Sequence, residues 1–324
     1  MSLHRRNVLA SLALLVPALS SMADSYPSRP IRMIVPFPPG GPVDLTARLI
    51  GKTLSETLGQ PVVIENKSGA GGVVGTEQIA KAPADGYTIG MGTIASLGIN
   101  PGLMERMPFG VPQDFTPITN ASATSGVILA TKDAPFDDLK GLVAYAKANP
   151  GKVTYASAGL GSVGHMVGES LNHAAGIRMT HVPYRGTTPA AQDLLAGSVT
   201  LFIETSLSTA LTYLPTGKIK AIALTRKERS PLLPDVPGMR EAGFPEIDSP
   251  AWFGVVGPAG LPPAVVEKLN KAIHASLQDK QITEQLAKFG AEPVPSSPEQ
   301  FKTYIEQEIV RWKQVVKQAN IKPM

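Results

Sequence analysis

Short β-rich runs alternate with longer runs of helical period from residue 31 onward, and this alternation restricts the fold more than any other feature. Ile31–Phe37, Val62–Ile64, Thr88–Met91, Val153–Ala156, Met179–Pro183, Val199–Ile203 and Ile219–Leu224 read as strands. Between them lie helical stretches such as 137–148, 163–175, 189–196 and 206–214. In the first helix Leu45, Leu49, Leu54 and Leu58 are expected to form the buried stripe, with Gly59 as its stop. Such a chain builds mostly parallel sheets covered by helices on both faces, an α/β class. After a further strand, Ala251–Val256, the pattern turns helical: 262–277, 280–289 and 298–319. Ser297 and Gln300 flank the start of the last helix as a capping pair.

Three glycine-rich turns follow strand-like runs and precede helix-like ones: Val35–Asp44 (VPFPPGGPVD), Glu65–Gly75 (ENKSGAGGVVG) and Ala156–His165 (ASAGLGSVGH). Open α/β sheets bind ligands beyond the carboxyl ends of their strands, where helix N-termini offer unpaired N–H groups to anions. Each turn is therefore a candidate anion cradle, with a purely structural turn as the alternative. The middle turn reads mainly as structural, beside the cleft.

The third turn matches G-x-G-x-x-G at Gly159–Gly164. A dinucleotide site also needs an acid about twenty residues on to hold the ribose. Met179–Arg185 (MTHVPYR) supplies none. Tyr155–Gly159 lacks the first glycine of a nucleophile elbow, and Gly51-Lys52-Thr53 lacks the upstream glycine of a P-loop. The chain has no cysteine and no H-E-x-x-H, so thiol chemistry and zinc–thiolate sites are excluded. No catalytic residue, metal or cofactor is implied.

The first residues read as an export signal. Arg5-Arg6, an apolar run over Val8–Leu19 and the small-residue site at Ser21–Ala23 occur in that order, with cleavage expected after Ala23. The leader takes two arginines and no acid with it, so the formal charge falls from +4 to +2. No run of Lys or Arg concentrates that charge, which argues against nucleic-acid or membrane-surface binding. A soluble periplasmic monomer is expected.

Several side chains near the turns carry two readings each. Asp44 is an N-cap candidate. His165 either lines a cleft or packs in a helix's first turn, and His181 reads as structural. Arg185 either clamps a carboxylate or makes a surface ion pair. Trp252, Phe253 and Phe37 are either core or cleft wall.

Taken together, Val35–Asp44, Asn66–Gly72 (NKSGAGG), Lys81–Thr88 (KAPADGYT), Asp114–Ile118 (DFTPI), Gly161–His165 (GSVGH), His181–Gly186 (HVPYRG), Arg229–Pro237 (RSPLLPDVP) and Trp252–Gly260 resemble the Bug family of periplasmic solute-binding receptors, associated with tripartite tricarboxylate transporters. The resemblance spans essentially the whole mature chain. It implies a two-lobed periplasmic binding protein of type II, a Venus flytrap, with lobe 1 at 25–123 plus 225–324 and lobe 2 at 124–224. It implies closure around a small organic carboxylate, either a di- or tricarboxylate or an aromatic acid of phthalate type, for delivery to a membrane transporter. Carried over by motif, the ligand contacts are Phe37, Pro38, Pro39, Gly40, Gly41 and Asp44, then Thr93 and Ser96. The opposite lobe supplies Gly161, Ser162, His165, Tyr184 and Arg185, with Glu204, Thr205 and Trp252 completing the set. Glu204 stands where the family commonly has Asp. The alternatives are a ligand-dependent sensor docking on a signalling receptor and an exported hydrolase.

Overall fold

A computed structural model describes residues 26–323; the expected leader and its cleavage after Ala23 lie outside the described residues. The elements run β1 Ile31–Val35, α1 Pro42–Leu58, β2 Val62–Asn66, α2 Val73–Ala80, β3 Thr88–Thr93, a π-helical segment Ile94–Ile99, α3 Asn100–Leu103, β4 Phe115–Thr124, β5 Val127–Thr131 and α4 Leu139–Ala148. They continue with β6 Thr154–Ser157, α5 Val163–Ala175, β7 Thr180–Pro183, α6 Thr187–Leu195, β8 Leu201–Glu204, α7 Ser208–Tyr213 and β9 Ile219–Leu224. The chain closes with β10 Ala251–Pro258, α8 Pro263–Gln278, α9 Lys280–Ala287, β11 Ala291–Pro293 and α10 Pro298–Gln318.

These strands form two sheets, each flanked by helices, in the expected two-lobed α/β arrangement. The first has the order β11-β4-β10-β3-β1-β2 and the second β7-β6-β8-β5-β9. The sheets are mixed rather than mostly parallel. Parallel pairing joins β1 to β2 and β3, and β6 to β7 and β8. Pairing turns antiparallel where β10 meets β3 and β4, and where β5 meets β8 and β9. The strands that pass between sheets cause the difference. β5, which enters the second sheet from β4 through Ser125-Gly126 alone, and β10, which returns to the first sheet after β9, run against both their neighbours, since neither arrives by a crossover helix from a strand of its own sheet. The chain returns after β9, where Thr225 N–H donates to the Gly126 carbonyl (2.9 Å) and the Arg226 guanidinium to Ser125 Oγ (3.0 Å). The two passages thus lie side by side.

α1 shows how local sequence sets the packing. Pro42 occupies its first turn, where no N–H partner is lost, and Gly59 ends it at φ +68°, with its N–H on the Ser55 carbonyl. Of the expected leucines Leu54 alone lies in its buried stripe, with Val43, Ala47 and Ile50; Leu45, Leu49 and Leu58 are only half-buried. The small side chains decide the rotation. A Cβ added at Gly51 would lie 3.0 Å from Ile64 Cδ1, so the helix approaches the sheet along its narrow face. Among the described residues, no helix is long and apolar enough to cross a membrane.

Candidate functional site

The first glycine turn leaves β1 and enters α1. Asp44 is not the N-cap; Gly41 is, and it has no side chain to cap with. Asp44 sits at the third helical position and reaches back. Its carboxylate accepts from Gly40 N–H (2.9 Å), the Arg48 guanidinium (2.9 Å) and Asn66 Nδ2 (2.9 Å), while Asn66 also holds the Phe37 carbonyl (3.0 Å). Burial alone raises the carboxyl's pKa, but these hydrogen bonds outweigh it and hold the group below the ordinary range. Asp44 therefore fixes the loop from behind, and no N-cap side chain bonds the first turn of α1.

The third turn leaves β6 and enters α5. Gly159 (φ +130°) and Gly161 (φ +71°) take conformations that a side chain resists. Ser162 caps α5: its Oγ accepts from His165 N–H (3.3 Å) and donates to the Gly159 carbonyl (2.6 Å). The His165 ring accepts the Gly161 N–H at Nδ1 (3.2 Å) and stacks on His181 (centroids 4.3 Å apart), which stacks on Tyr155 (4.8 Å). His181 Nε2 pairs with Ser157 Oγ (2.7 Å), and Tyr155 donates to Glu169 (2.5 Å). This stack supports the turn from inside the second sheet's layer.

Between the two sheets, loops from both line a cleft that opens to solvent. From the first sheet come Phe37, Pro38, Pro39, Gly41, Pro42 and Val43, then Thr93, Ile94 and Ala95, then Ala251 and Phe253. The second sheet contributes Ala158, Ser162 and Val163, then Gly186, Thr187 and Thr188, then Thr205. Helices α1, α5 and α6 and the π-helical segment all begin within this wall. None of these residues is charged.

The rims touch across the cavity. A Cβ at Gly186 would lie 3.0 Å from Pro38 Cγ, and one at Gly71 would overlap the Leu160 carbonyl of the third turn. Asn100, 1% exposed, donates from Nδ2 to the Gly71 carbonyl (3.3 Å), and its unpartnered Oδ1 abuts Gly161.

Of the residues expected to meet a ligand, Phe37, Pro38, Pro39, Gly41, Thr93, Ser162 and Thr205 line this cavity. The others stand elsewhere. Gly40 and Asp44 brace the first loop. Ser96 forms a capping box with Thr93 behind the wall. Gly161 abuts Asn100, and His165 packs under the turn. The Tyr184 hydroxyl donates to Asp193 (2.5 Å), and Arg185 is exposed. Glu204 is buried and turned into the start of α7, where it accepts from Ser206 Oγ (2.9 Å), Ser208 Oγ (2.6 Å) and Thr209 N–H (3.2 Å). Burial pushes it up to about 7 against the pull of those bonds. Trp252 is 1% exposed, sealed in the core against Phe301 and Tyr304, with its N–H on Glu308 (3.2 Å). Alternation along β10 puts its neighbour Phe253 on the cavity side instead. Gly186–Thr188 were missed because the helix was expected to begin only at Pro189; Gly186 before Thr-Thr-Pro is the capping signal that finds them.

Both stacked histidines are held well below the ordinary value by burial; His181 is pushed down to about 3, with His165's charge adding to the effect. Glu169 partly offsets it at His165. A histidine with a depressed folded pKa costs stability as pH falls below its unfolded value near 6.5. Glu204 acts in the opposite sense, gaining stability as pH falls through 7. A comparison of wild type with His181→Asn isolates the histidine. The stability of wild type is expected to drop relative to the variant between pH 6.5 and 5, by on the order of 1 kcal/mol after allowing for His181's partial exposure. Denaturant titrations at both pH values measure it; a pH-independent difference contradicts the assignment.

Comparison with known proteins adds the family. The sequence profile described as "Tripartite tricarboxylate transporter family receptor" matches residues 46–321. The chain belongs to this receptor family. Protein BugT of Bordetella pertussis is 40% identical over 301 residues, covering 93% of this chain and 92% of BugT. An R. palustris structure with adipate superposes with a TM-score of 0.88 at 36% identity, covering 92% of this chain and 100% of that one. MatC from Rhodopseudomonas palustris with bound malate gives 0.85 at 36% identity, covering 90% and 100%. The tripartite tricarboxylate transporter receptors are periplasmic solute-binding proteins. The two-sheet arrangement with a cavity between the lobes fits that role.

Proposed function

We propose that this receptor closes around a small organic carboxylate in the periplasm and delivers it to the membrane components of a tripartite tricarboxylate transporter, without catalysing a reaction. The single observation that carries the reading is the cavity wall: uncharged, drawn from both sheets, and rimmed by helix N-termini. N-caps Gly41 and Gly186 have no side-chain acceptor, which leaves the first-turn N–H groups of α1 and α6 for a ligand. The hydroxyls of Thr187, Thr188 and Thr205 add donors, and Phe37, Pro38, Pro39 and Phe253 offer an apolar surface to the ligand's middle. The adipate and malate in two relatives support a di-acid of that kind. Residues 25–123 plus 225–324 make one lobe and 124–224 the other, hinging at Ser125-Gly126 and Thr225. The leader is removed after Ala23.

A thermal-shift panel of malate, citrate, succinate, adipate and phthalate on the mature chain tests this. A thousandfold excess of ligand over Kd stabilises by about 4 kcal/mol, a rise of several degrees. At least one acid is expected to give it; folded protein that responds to no carboxylate contradicts the reading.

A further inference from the structure

We infer that His165 makes the contact between the two lobes acid-sensitive: the third glycine turn is held against the first lobe only while the His165 ring is neutral. The inference rests on the receptor reading above, since it takes the lobes to part and close. It concerns a ring behind the cleft wall, which no ligand needs to touch.

His165 lies in the first turn of α5 and is 7% exposed. Its Nδ1 accepts the Gly161 N–H (3.2 Å), so the neutral ring carries its proton on Nε2. The same turn makes the contact with the first lobe. Gly161 abuts the Asn100 side chain, and the Leu160 carbonyl occupies the place of a Cβ on Gly71. A second proton on the ring puts Nδ1–H against the Gly161 N–H, two donors face to face. The turn then loses its supporting bond at the point where it meets the other lobe.

The groups around the ring do little to favour its charge. β7 contributes His181, stacked on it at 4.3 Å. β6 contributes Tyr155, which stacks on His181 and donates to Glu169. Glu169, one turn along α5, favours a charged ring but only partly offsets burial, which holds His165 below its ordinary value. The π-helical segment Ile94–Ile99, packed on α5 from the first lobe, and Asn100 bring no titratable side chain. Parting of the lobes takes these residues away and admits water, so the ring returns toward its ordinary value near 6.5. A histidine whose pKa is lower with the lobes together opposes that contact as pH falls below 6.5. His181, pushed down to about 3, stays neutral through this range.

The test is calorimetric titration of the mature chain and of His165→Asn with the tightest binder among malate, citrate, succinate, adipate and phthalate. Asn puts a carbonyl oxygen near the place of Nδ1 and takes up no proton. Between about pH 7.5 and about pH 5, wild type is expected to lose about tenfold more affinity than the variant. The comparison cancels titration of the acid itself and of Glu204, which both proteins share. Equal losses overturn the inference and leave the receptor reading intact. His165→Gln takes the same place if the asparagine variant does not fold. Amide hydrogen exchange at Gly161 gives a readout without ligand: protection in wild type relative to the variant is expected to fall about tenfold over the same interval. An unchanged ratio overturns the inference independently. If none of the five acids binds, the receptor reading falls, and exchange at Gly161 alone decides whether the turn is acid-sensitive.

Discussion

Glu308→Ala is expected to lose about 3 kcal/mol of stability, or on the order of 6–12 °C in melting temperature for a chain of this size. Glu308 is 4% exposed, and its Oε2 accepts the indole N–H groups of both Trp252 and Trp312 at 3.2 Å. Its Oε1 accepts from Arg311 at 3.0 Å. Truncation strands two buried donors and leaves the guanidinium with the Asp248 carbonyl alone. The loss stays at the low end for a broken buried pair because Arg311 is partly solvated. Glu308→Gln keeps an acceptor and is expected to lose about 1 kcal/mol. Chemical denaturation of the three proteins checks the order. An alanine variant within 1 kcal/mol of wild type contradicts the account, which makes this cluster the joint between β10 and α10.

The second large effect concerns closure. Gly71→Ala is expected to weaken ligand binding about 100-fold, roughly 2.7 kcal/mol. The added Cβ overlaps the Leu160 carbonyl of the opposite lobe, a backbone atom that yields only if the lobes stay apart. The residue's φ of +61° adds a cost of about 1 kcal/mol to the unliganded fold as well. Gly59→Ala separates the two terms. Gly59 has φ +68° but nothing within 4 Å, so its variant is expected to lose similar stability and no affinity. Equal affinity losses in both variants contradict the closure argument.

Much of this architecture is legible in the residues, and the exceptions have physical causes. Val163–Ala175 and Ile219–Leu224 form a helix and a strand with the expected limits, because Ser162, Gly176 and the apolar run mark them locally. β4, FTPITNASAT, is polar and proline-bearing, yet it lies inside the first sheet between β11 and β10. Its buried hydroxyls find partners far along the chain: Thr119 with His274 and Ser296, Ser122 with Thr46. Local periodicity carries no trace of such partners. The cleft follows the same rule. The loop Phe37–Val43 declares itself by its prolines and glycines, whereas the choice between Trp252 and Phe253 depends on strand register, which only the paired sheet sets. Glu204 is the sharpest case, since the direction of one carboxylate decides whether it meets a ligand or a helix start.

The most direct measurement is a crystal structure of the mature chain with whichever carboxylic acid stabilises it most. One molecule is expected between the lobes. Its carboxylate oxygens should lie within about 3 Å of N–H groups at the starts of α1, α5 or α6 and of hydroxyls such as Thr187 or Thr205, directly or through one water. A ligand held by one lobe alone, or bound outside the cavity walled by Phe37 and Phe253, contradicts it.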